Sequence, residues 1–536
     1  MKKIATSPLE LTLISDTHYF SKRNGCSGPA YERENQKSQK LLKDSEEVLR
    51  AAFRQIAGDK RTDIVLLSGD VVNNGELSSH EEMIPLLREL KAAGKRVFVI
   101  TASHDYDKGR GFDGDKVIEV PYARRGDLRE MYWEFGPAQA LAYHEESCSY
   151  TAQLAEGYRL LAIYDNDNDD DGFKENLADW IKEQVHKAHE EGQFILSMAH
   201  HPVIAPSPFY AIIGKGDMMH GSKKIIKFLT KLDVSFIFTG HTHIQDISYR
   251  FDKKNRVFYD VSTPSLVGYP GSYRHIIADA QADTLTVSTE EITEPVAFEC
   301  VGGTLKSHFE NQFFGMIRDV IEAAANDVER FSYMANAFSI RPKLSLRFGW
   351  LIKPVAKWLN KLTIGRVAKW TRAETGLKPE DYAGIKDEKV VDFIVTLVMH
   401  LFGGDSPYGP DTAKFKIAVG LMNVLDSFLG IIGVAGKLPG GEGVRGLAEP
   451  LLFNRGIRDY EAVLPLHASP EEVEALCPAF NDTVKPSRKG LPVLLTLIAL
   501  LLLLLPLLPL AALLIGIGFL INQIKYGERI KENKAW

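Results

Sequence analysis

Short apolar runs that end close to polar residues recur through the first half of the chain. The five runs followed by carboxylates or histidines cover residues 11–14, 64–67, 97–100, 194–196 and 234–238. Runs of this length, bounded by polar residues, predict buried strands. Apolar residues at helical spacing over 36–57 and 83–93 lie between the runs. This alternation predicts βαβ units and the α/β fold class.

A polar group follows each of the five predicted strands. The groups are Asp16-Thr17-His18, Gly69-Asp70 with Asn73-Asn74, Ser103-His104-Asp105, His200-His201-Pro202 and Gly240-His241-Thr242-His243. Because ligands of an open α/β sheet sit at the carboxyl ends of its strands, we expect these side chains to converge. Carboxylates and imidazoles together are typical ligands of divalent metal ions. The pattern therefore predicts a metal site at one sheet edge.

The order and spacing of these groups resemble the calcineurin-like metallophosphoesterases. The pattern of that family is D-x-H, G-D-x-x-x-N, G-N-H-[DE], H-x-P and G-H-x-H, and the catalytic half is similar to its bacterial cyclic-nucleotide phosphodiesterase branch. The resemblance covers residues 1–298, which are predicted to form the catalytic domain. It implies a four-layer αββα sandwich. The short alternating runs between 247 and 292 fit the closing sheet of such a sandwich.

The resemblance also implies two divalent metal ions and a ligand set for them. One ion would be held by Asp16, His18 and His243; Asp70 would bridge both ions; His200 and His241 would bind the second. The H-x-P spacing favours His200 over its neighbour as the ligand. Nitrogen and oxygen ligands without thiolate suit Mn²⁺, Fe or Zn²⁺, and we favour manganese because oxygen ligands are numerous.

One ligand position departs from the family pattern. Ala102 and Ser103 stand where the family has Gly-Asn, and the family's asparagine supplies an amide oxygen to the second metal. A serine hydroxyl is a shorter and weaker donor. We keep Ser103 as a candidate ligand and expect weaker binding there, an extra water, or help from a neighbouring group such as Asn73 or Asn74.

Three further residues match substrate-handling positions of the family. By the resemblance, His104 contacts the phosphate or the leaving oxygen as a hydrogen-bond donor or general acid. Asp105 is expected to orient the imidazole of His104, and Asn74 to contact substrate. A hydroxide from a water shared by the two ions would attack phosphorus in line.

Residues 299–480 differ from the catalytic half and predict a helix-rich, membrane-proximal domain. Nine basic residues and no acidic residue lie between Arg341 and Arg372. Apolar residues including Leu351, Val355 and Trp358 recur among them at helical spacing. This pattern indicates either a basic amphipathic helix on a membrane surface or a core helix with a solvated basic face.

The carboxyl end predicts a membrane anchor over residues 481–536. Leu491–Ile521 carries no charge and is rich in leucine, and we predict a hydrophobic span over 491–522. Pro506 and Pro509 leave two topologies open, a single kinked span or a re-entrant hairpin. We favour the single span because unpaired backbone groups are costly in lipid.

Length and composition limit the remaining possibilities. At 536 residues two or more units are expected, and a formal net charge of −6 gives no reason to expect nucleic acid as a partner. Four separated cysteines without C-x-x-C, and no apolar signal within residues 1–10, favour a reducing compartment. We expect a catalytic domain facing the cytoplasm at the cell membrane, and the oligomeric state is left open.

Together these features predict a membrane-tethered enzyme with two metal ions that hydrolyses a phosphodiester in preference to a monoester. A cyclic nucleotide and a lipid-linked head group are both open as substrates. The alternative is a non-catalytic membrane adaptor, in which a degenerate fold weakened at Ser103 binds a nucleotide or a partner without turnover.

Overall fold

The computed structural model describes residues 7–208, 210–335, 342–431, 443–484 and 525. Its strands are β1 (Leu9–Ile14), β2 (Ile64–Ser68), β3 (Arg96–Ile100), β4 (Arg110–Asp113), β5 (Lys116–Glu119), β6 (Ala140–His144), β7 (Ser149–Ala155), β8 (Tyr158–Ala162), β9 (Phe194–Met198), β10 (Phe236–Thr239), β11 (Asp246–Phe251), β12 (Val257–Ser262), β13 (Ser272–Asp279), β14 (Thr284–Glu291) and β15 (Glu461–Pro465).

The α-helices surround these strands and continue into the second half of the chain. They are α1 (Pro29–Gln36), α2 (Ser45–Gly58), α3 (Leu77–Ala92), α4 (Arg125–Met131), α5 (Glu175–Glu190), α6 (Tyr210–Ile213), α7 (Ser222–Lys231), α8 (Leu305–Asn326), α9 (Val328–Ala335), α10 (Pro342–Leu359), α11 (Ile364–Thr375), α12 (Val390–Gly403), α13 (Ala413–Ile431), α14 (Gly443–Leu452) and α15 (Pro470–Glu474).

Two β-sheets form the centre of the catalytic half. One has the order β15-β14-β13-β1-β2-β3, with β1, β2 and β3 parallel and the other strands antiparallel to their neighbours. The other has the order β11-β12-β10-β9-β8-β7-β6, with β12, β10, β9 and β8 parallel. The predicted ligands follow the parallel strands β1, β2 and β3 of the first sheet and β9 and β10 of the second.

Alternation along the strands explains the layers. In β2, Ile64 and Leu66 pack into a core shared by the two sheets, while Val65 and Leu67 pack into a core formed with α2, α3 and α8. On the far side, α5 and α7 cover the second sheet. Side chains of a strand point alternately to its two faces, so a strand buried on both faces is continuously apolar. The predicted mixed α/β fold is confirmed.

Local differences from the prediction concern the stretch before α2. Residues 29–36 form α1, and the predicted helix over 36–57 begins only at Ser45. The residues between these helices form a loop that reaches the sheet edge, where Lys40 bridges to Gly268.

The helix-rich segment packs against the catalytic half. Its strand β15 pairs with β14 and extends the first sheet. In α8, the buried Phe313 stacks on Tyr269 with ring centroids 5.1 Å apart. The division predicted at residue 298 stays a prediction, but the two segments share a sheet and a core.

Within the described ranges, none of the helices combines the length and apolar character that a bilayer crossing needs. The span predicted over 491–522 lies outside the described residues, so it stays a prediction.

Candidate metal centre

The loops that follow β1, β2, β3, β9 and β10 meet at one edge of the two sheets. Five residues in these loops have positive φ angles, namely Asp16 at 51°, His18 at 37°, Asp70 at 52°, His241 at 64° and His243 at 57°. This left-handed backbone conformation is uncommon outside glycine, and such strain clusters at functional sites. The strain therefore coincides with the predicted ligands.

One group of ligand atoms is formed by Asp16, His18 and His243. Oδ1 of Asp16 lies 3.2 Å from Nε2 of His243 and 3.5 Å from Nε2 of His18. The two imidazole Nε2 atoms are 2.9 Å apart. The other carboxylate oxygen of Asp16 accepts hydrogen bonds from the Ser15 hydroxyl at 2.5 Å and the His241 N–H at 2.9 Å. These bonds leave Oδ1 facing the two imidazoles.

A second group adjoins the first through Asp70. Oδ2 of Asp70 lies 3.2 Å from Nε2 of His200 and 3.8 Å from Nε2 of His18. Nε2 of His200 is in turn 3.2 Å from Nδ1 of His241. The other nitrogen of His200 bonds to the carbonyl oxygen of Ser68 at 2.8 Å, so its Nε2 is held towards Asp70.

These residues fit a pair of metal ions. Four overlapping sets of Asp and His side chains have ligand atoms within 4.8 Å of one another, and Asp70 belongs to two of them. Oδ1 of Asp16 is buried, and no donor in the described part of the chain is aligned to bond it. A buried carboxylate oxygen without a donor needs a cation. The identity of the metal is not fixed by this donor set.

Two glycines allow the ligands to approach the backbone. A Cβ atom added to Gly69 would come within 2.5 Å of Nδ1 of His200, and one added to Gly240 within 2.5 Å of Oδ2 of Asp16. Any side chain at these positions would displace a ligand. The lack of room for a Cβ atom therefore explains why the G-D and G-H-x-H motifs have glycine at these positions.

Burial and neighbouring charges set the charge state of the centre. Burial by itself would raise the pKa of Asp16, but the neighbouring His243 and His18 hold it well below its usual range. Burial holds the pKa of His18 and of His241 well below the ordinary value of 6.5. Ionised carboxylates and neutral imidazoles are the forms that bind metal ions. His200 differs: burial would lower its pKa, but the neighbouring carboxylates raise it to about 10, so His200 must lose a proton when it binds a metal ion.

His104 lies beside this centre, but the expected role of Asp105 is wrong. The ring of His104 stands edge-on to that of His18, with centroids 5.2 Å apart. Its Nδ1 bonds to the carbonyl oxygen of Asn73 at 2.5 Å. The Asp105 carboxylate instead accepts the backbone N–H groups of Val72 at 2.9 Å and Ala102 at 2.7 Å. Asp105 is buried and joins the two ligand loops; it does not orient the imidazole.

Ser103 and Asn74 lie in the same two loops. Ser103 is half-buried and precedes His104, whose backbone N–H bonds to Oδ1 of Asp70 at 3.1 Å. The backbone N–H of Asn74 bonds to Oε2 of the buried Glu76 at 3.0 Å. The metal-binding role of Ser103 and the substrate role of Asn74 stay predictions.

The structure adds two residues that the sequence pattern did not indicate. Nζ of Lys40 lies 3.2 Å from Nδ1 of His18 and 3.2 Å from Oδ1 of Asn73. The side-chain amide of Gln39 bonds to Nδ1 of His243. Both residues come from the loop before α2, which was expected to be helical, so no signal in the sequence placed them here.

A third addition is Asp165, which follows β8. Its carboxylate accepts the backbone N–H of His200 at 3.2 Å and that of His201 at 3.0 Å. It also contacts Nδ1 of His201 at 2.9 Å. Asp165 therefore positions the H-x-P loop. Asp165 directly follows the apolar run 160–164, and this position at the end of a strand is the signal that could have indicated it.

Comparisons with known proteins agree with this geometry. Residues 9–245 match the calcineurin-like phosphoesterase family. A comparison with curated protein sequences gave no match.

Among solved structures, the chain is similar to a dimetal phosphatase from Danio rerio, with 14% identity, 53% of this chain and 97% of that chain covered and a TM-score of 0.39. It is also similar to purple acid phosphatase PPD1 from yellow lupin (Lupinus luteus) seeds, with 13% identity, 55% and 53% covered and a TM-score of 0.35. It is similar as well to the NAD nucleotidase of Haemophilus influenzae, with 10% identity, 67% of this chain and 62% of that chain covered and a TM-score of 0.30.

Structural likeness at these TM-scores carries no weight for function, so the assignment rests on the family match and on the site. That match begins at the first residue of β1 and ends two residues after His243, so it includes all five ligand loops. The Asp and His clusters within it suit two metal ions. Residues 9–245 of this chain are thus a calcineurin-like phosphoesterase domain with candidate ligands for a dinuclear metal centre.

Proposed function

We propose that this chain is a metal-dependent phosphodiesterase attached to a membrane. The observation that carries the proposal is the pair of ligand groups that meet at Asp70. His104 and Lys40 border these groups and can face a bound phosphate. The family match supports a hydrolase; the choice of a diester and the membrane attachment are our inference.

The metal ions would be held by the residues of the two groups. Asp16, His18 and His243 would bind one ion, and Asp70 would be shared with the ion bound by His200 and His241. When bound, a pair of divalent ions supplies positive charge for the phosphoryl oxygens and makes hydroxide available near neutral pH. Manganese is our proposed metal.

His104 is proposed to protonate the leaving oxygen. Because Nδ1 of His104 donates to the carbonyl oxygen of Asn73, its Nε2 is the atom available to substrate. Burial lowers the pKa of His104 to about 4, so the ring is neutral before substrate binds. A bound phosphate adds negative charge nearby and favours the protonated ring, which then donates its proton.

Lys40 is proposed to bind the phosphate directly. Lys40 is half-buried, and its ammonium group lies beside His18 and Asn73, where it adds a positive charge next to the centre. An ammonium donates strong charge-assisted hydrogen bonds to phosphate oxygens. We infer that the Lys40 ammonium group offsets negative charge on those diester oxygens that the metal ions do not contact.

The substrate class is proposed from two features of the sequence. The resemblance of the catalytic half to cyclic-nucleotide phosphodiesterases supports a cyclic nucleotide. The apolar run over 491–522 supports a membrane location, with the catalytic domain facing the cytoplasm, and with it a lipid-linked head group. The adaptor alternative is not favoured, because Ser103 is the one position that departs from the family's ligand pattern.

The test is Mn²⁺-dependent hydrolysis of bis-p-nitrophenyl phosphate by the full chain in a mild detergent, beside hydrolysis of the monoester p-nitrophenyl phosphate. We expect Asp70→Ala to reduce the diester rate about a thousandfold, because metal charge contributes several kcal/mol to the reaction. Asp170→Ala, which changes a fully exposed carboxylate, is the matched control and should have no effect. Folded, metal-loaded protein that is inert to both substrates would contradict the proposal and favour the adaptor.

A further inference from the structure

An apolar stripe lies exposed along α10. Phe348, Leu351, Val355 and Trp358 recur at spacings of three or four residues, so they share one face of the helix. Trp358 and Val355 are each 54% exposed and Leu351 is 48% exposed. Single exposed apolar side chains are ordinary, but a contiguous exposed stripe of large ones marks an interaction surface.

The neighbouring helix α11 extends this stripe. Its Trp370 is exposed, and its ring lies parallel to that of Trp358 with centroids 6.2 Å apart. Five of the fifteen large apolar side chains exposed in the described residues fall between 348 and 370. We call the exposed side chains of α10 and α11 over this range the aromatic-basic surface.

The segment that carries this surface, residues 348–372, is strongly basic. The exposed basic side chains of the segment are Lys353, Lys357, Lys361, Arg366, Lys369 and Arg372. No acidic residue occurs between 341 and 372, although the whole chain has a formal net charge of −6. Positive charge is therefore concentrated in the same segment that exposes the apolar side chains, with the lysines of α10 on a stripe of their own.

We propose that the aromatic-basic surface binds the headgroup region of an anionic phospholipid membrane. Indole rings favour the boundary between headgroups and acyl chains, and lysine side chains extend from an apolar face to lipid phosphates. Each basic residue near an anionic bilayer strengthens binding. The inference rests on the proposed membrane location and is independent of the proposed hydrolysis.

Helix packing connects the aromatic-basic surface to the catalytic domain. Helix α10 packs on α8 and α9, and Phe313 of α8 stacks on Tyr269 beside the first sheet. In addition, the side chain of Gln312 in α8 donates to the carbonyl oxygen of Ser38 at 2.9 Å, next to Gln39 and Lys40. Lipid binding at the surface would therefore hold the catalytic domain in one orientation, and not merely on a tether.

The charge of the aromatic-basic surface favours an anionic lipid over the other candidate occupant, which is the chain's own apolar run over 491–521. That run carries no acidic residue to pair with the lysines of the surface, whereas anionic lipid phosphates pair with them directly. An anionic bilayer satisfies both the tryptophans and the lysines.

The test measures amide hydrogen exchange of the full chain in vesicles of phosphatidylcholine alone and in vesicles that also contain phosphatidylglycerol. We expect exchange over residues 342–375 to be slower with phosphatidylglycerol, by about fivefold for each lysine engaged. The double variant Lys353→Glu, Lys357→Glu should lose this difference between the two lipids. The double variant Lys223→Glu, Lys227→Glu on α7 is the matched control, because both lysines are exposed and have the same spacing; it should keep the difference.

Equal exchange in the two lipids would overturn the inference. Slow exchange in both lipids that persists in the Lys353→Glu, Lys357→Glu variant would overturn it as well and indicate that another part of the chain covers the surface. Hydrolysis of bis-p-nitrophenyl phosphate by the same samples reports separately on the proposed function. An active enzyme whose exchange is the same in both lipids would refute only the proposed lipid binding by the aromatic-basic surface, and not the proposed hydrolysis.

Discussion

Nε2 of His18 lies 2.9 Å from Nε2 of His243, although 225 positions separate the two residues in the chain. His18 follows β1 of the first sheet and His243 follows β10 of the second. Two ring nitrogens at this distance converge on a common point, as ligands of one ion do. The centre therefore exists only when both sheets are packed, and it joins them when metal binds.

Lys40 provides the first prediction. Lys40→Met should lower kcat/KM for bis-p-nitrophenyl phosphate about a hundredfold, because one charged donor to the phosphate is lost. The bound metal, measured by elemental analysis, should stay unchanged. Lys43→Met, an exposed lysine three positions later, should behave as wild type. Metal loss in parallel with activity would show that Lys40 supports the ligands and does not bind phosphate.

Ser103 provides the second prediction. Ser103→Asn places an amide oxygen where the family has one, and we expect it to tighten the weaker of two Mn²⁺ sites about tenfold. Titration calorimetry of metal-free protein measures this change. Ser103→Ala should weaken the same site if the hydroxyl is a ligand. Identical metal binding by all three proteins would remove Ser103 from the ligand set.

The packing of α8 on the first sheet provides the third prediction. Phe313 is fully buried and its ring centroid lies 5.1 Å from that of Tyr269 and 5.0 Å from that of Phe402. Phe313→Ala should lower the free energy of unfolding by about 3–5 kcal/mol, through lost burial and the cavity left behind. Urea unfolding measures it, with the exposed Phe348→Ala as control, expected within about 0.5 kcal/mol of wild type.

His467, just after β15, provides the fourth prediction. Its ring bonds to Asp283 at 2.5 Å and to Asp233 at 3.1 Å, and these bonds raise its pKa to about 10 from the ordinary 6.5. Because the folded state holds the proton more tightly, the stabilisation is complete below pH 6.5 and is lost as the pH rises towards 10. The side chain is 50% exposed, so solvent screening limits the effect to at most about 1 kcal/mol.

His467→Gln tests this linkage through unfolding free energies measured from pH 6 to pH 10. The variant should be less stable than wild type at the acidic end and should converge with it at the alkaline end. A constant difference across the range would assign the stabilisation to packing and not to the charge of His467.

The sequence by itself determined the parts of this protein that depend on local pattern. The central strands are buried on both faces, so they are continuously apolar and stand out between polar loops. The candidate ligands Asp16, His18, Asp70, His200, His241 and His243 occupy the ends of these strands, where sheet geometry brings them together.

Only the tertiary structure decided how residues outside these patterns reach the site. Lys40 and Gln39 arrive from a loop whose apolar spacing imitates a helix, and their position depends on contacts with the first sheet and with α8. Asp105 was assigned to the wrong partner because spacing does not specify hydrogen-bond direction. The strand β15 joins β14 across more than 150 residues, and pairing over such a distance depends on the packed sheet and not on any local signal.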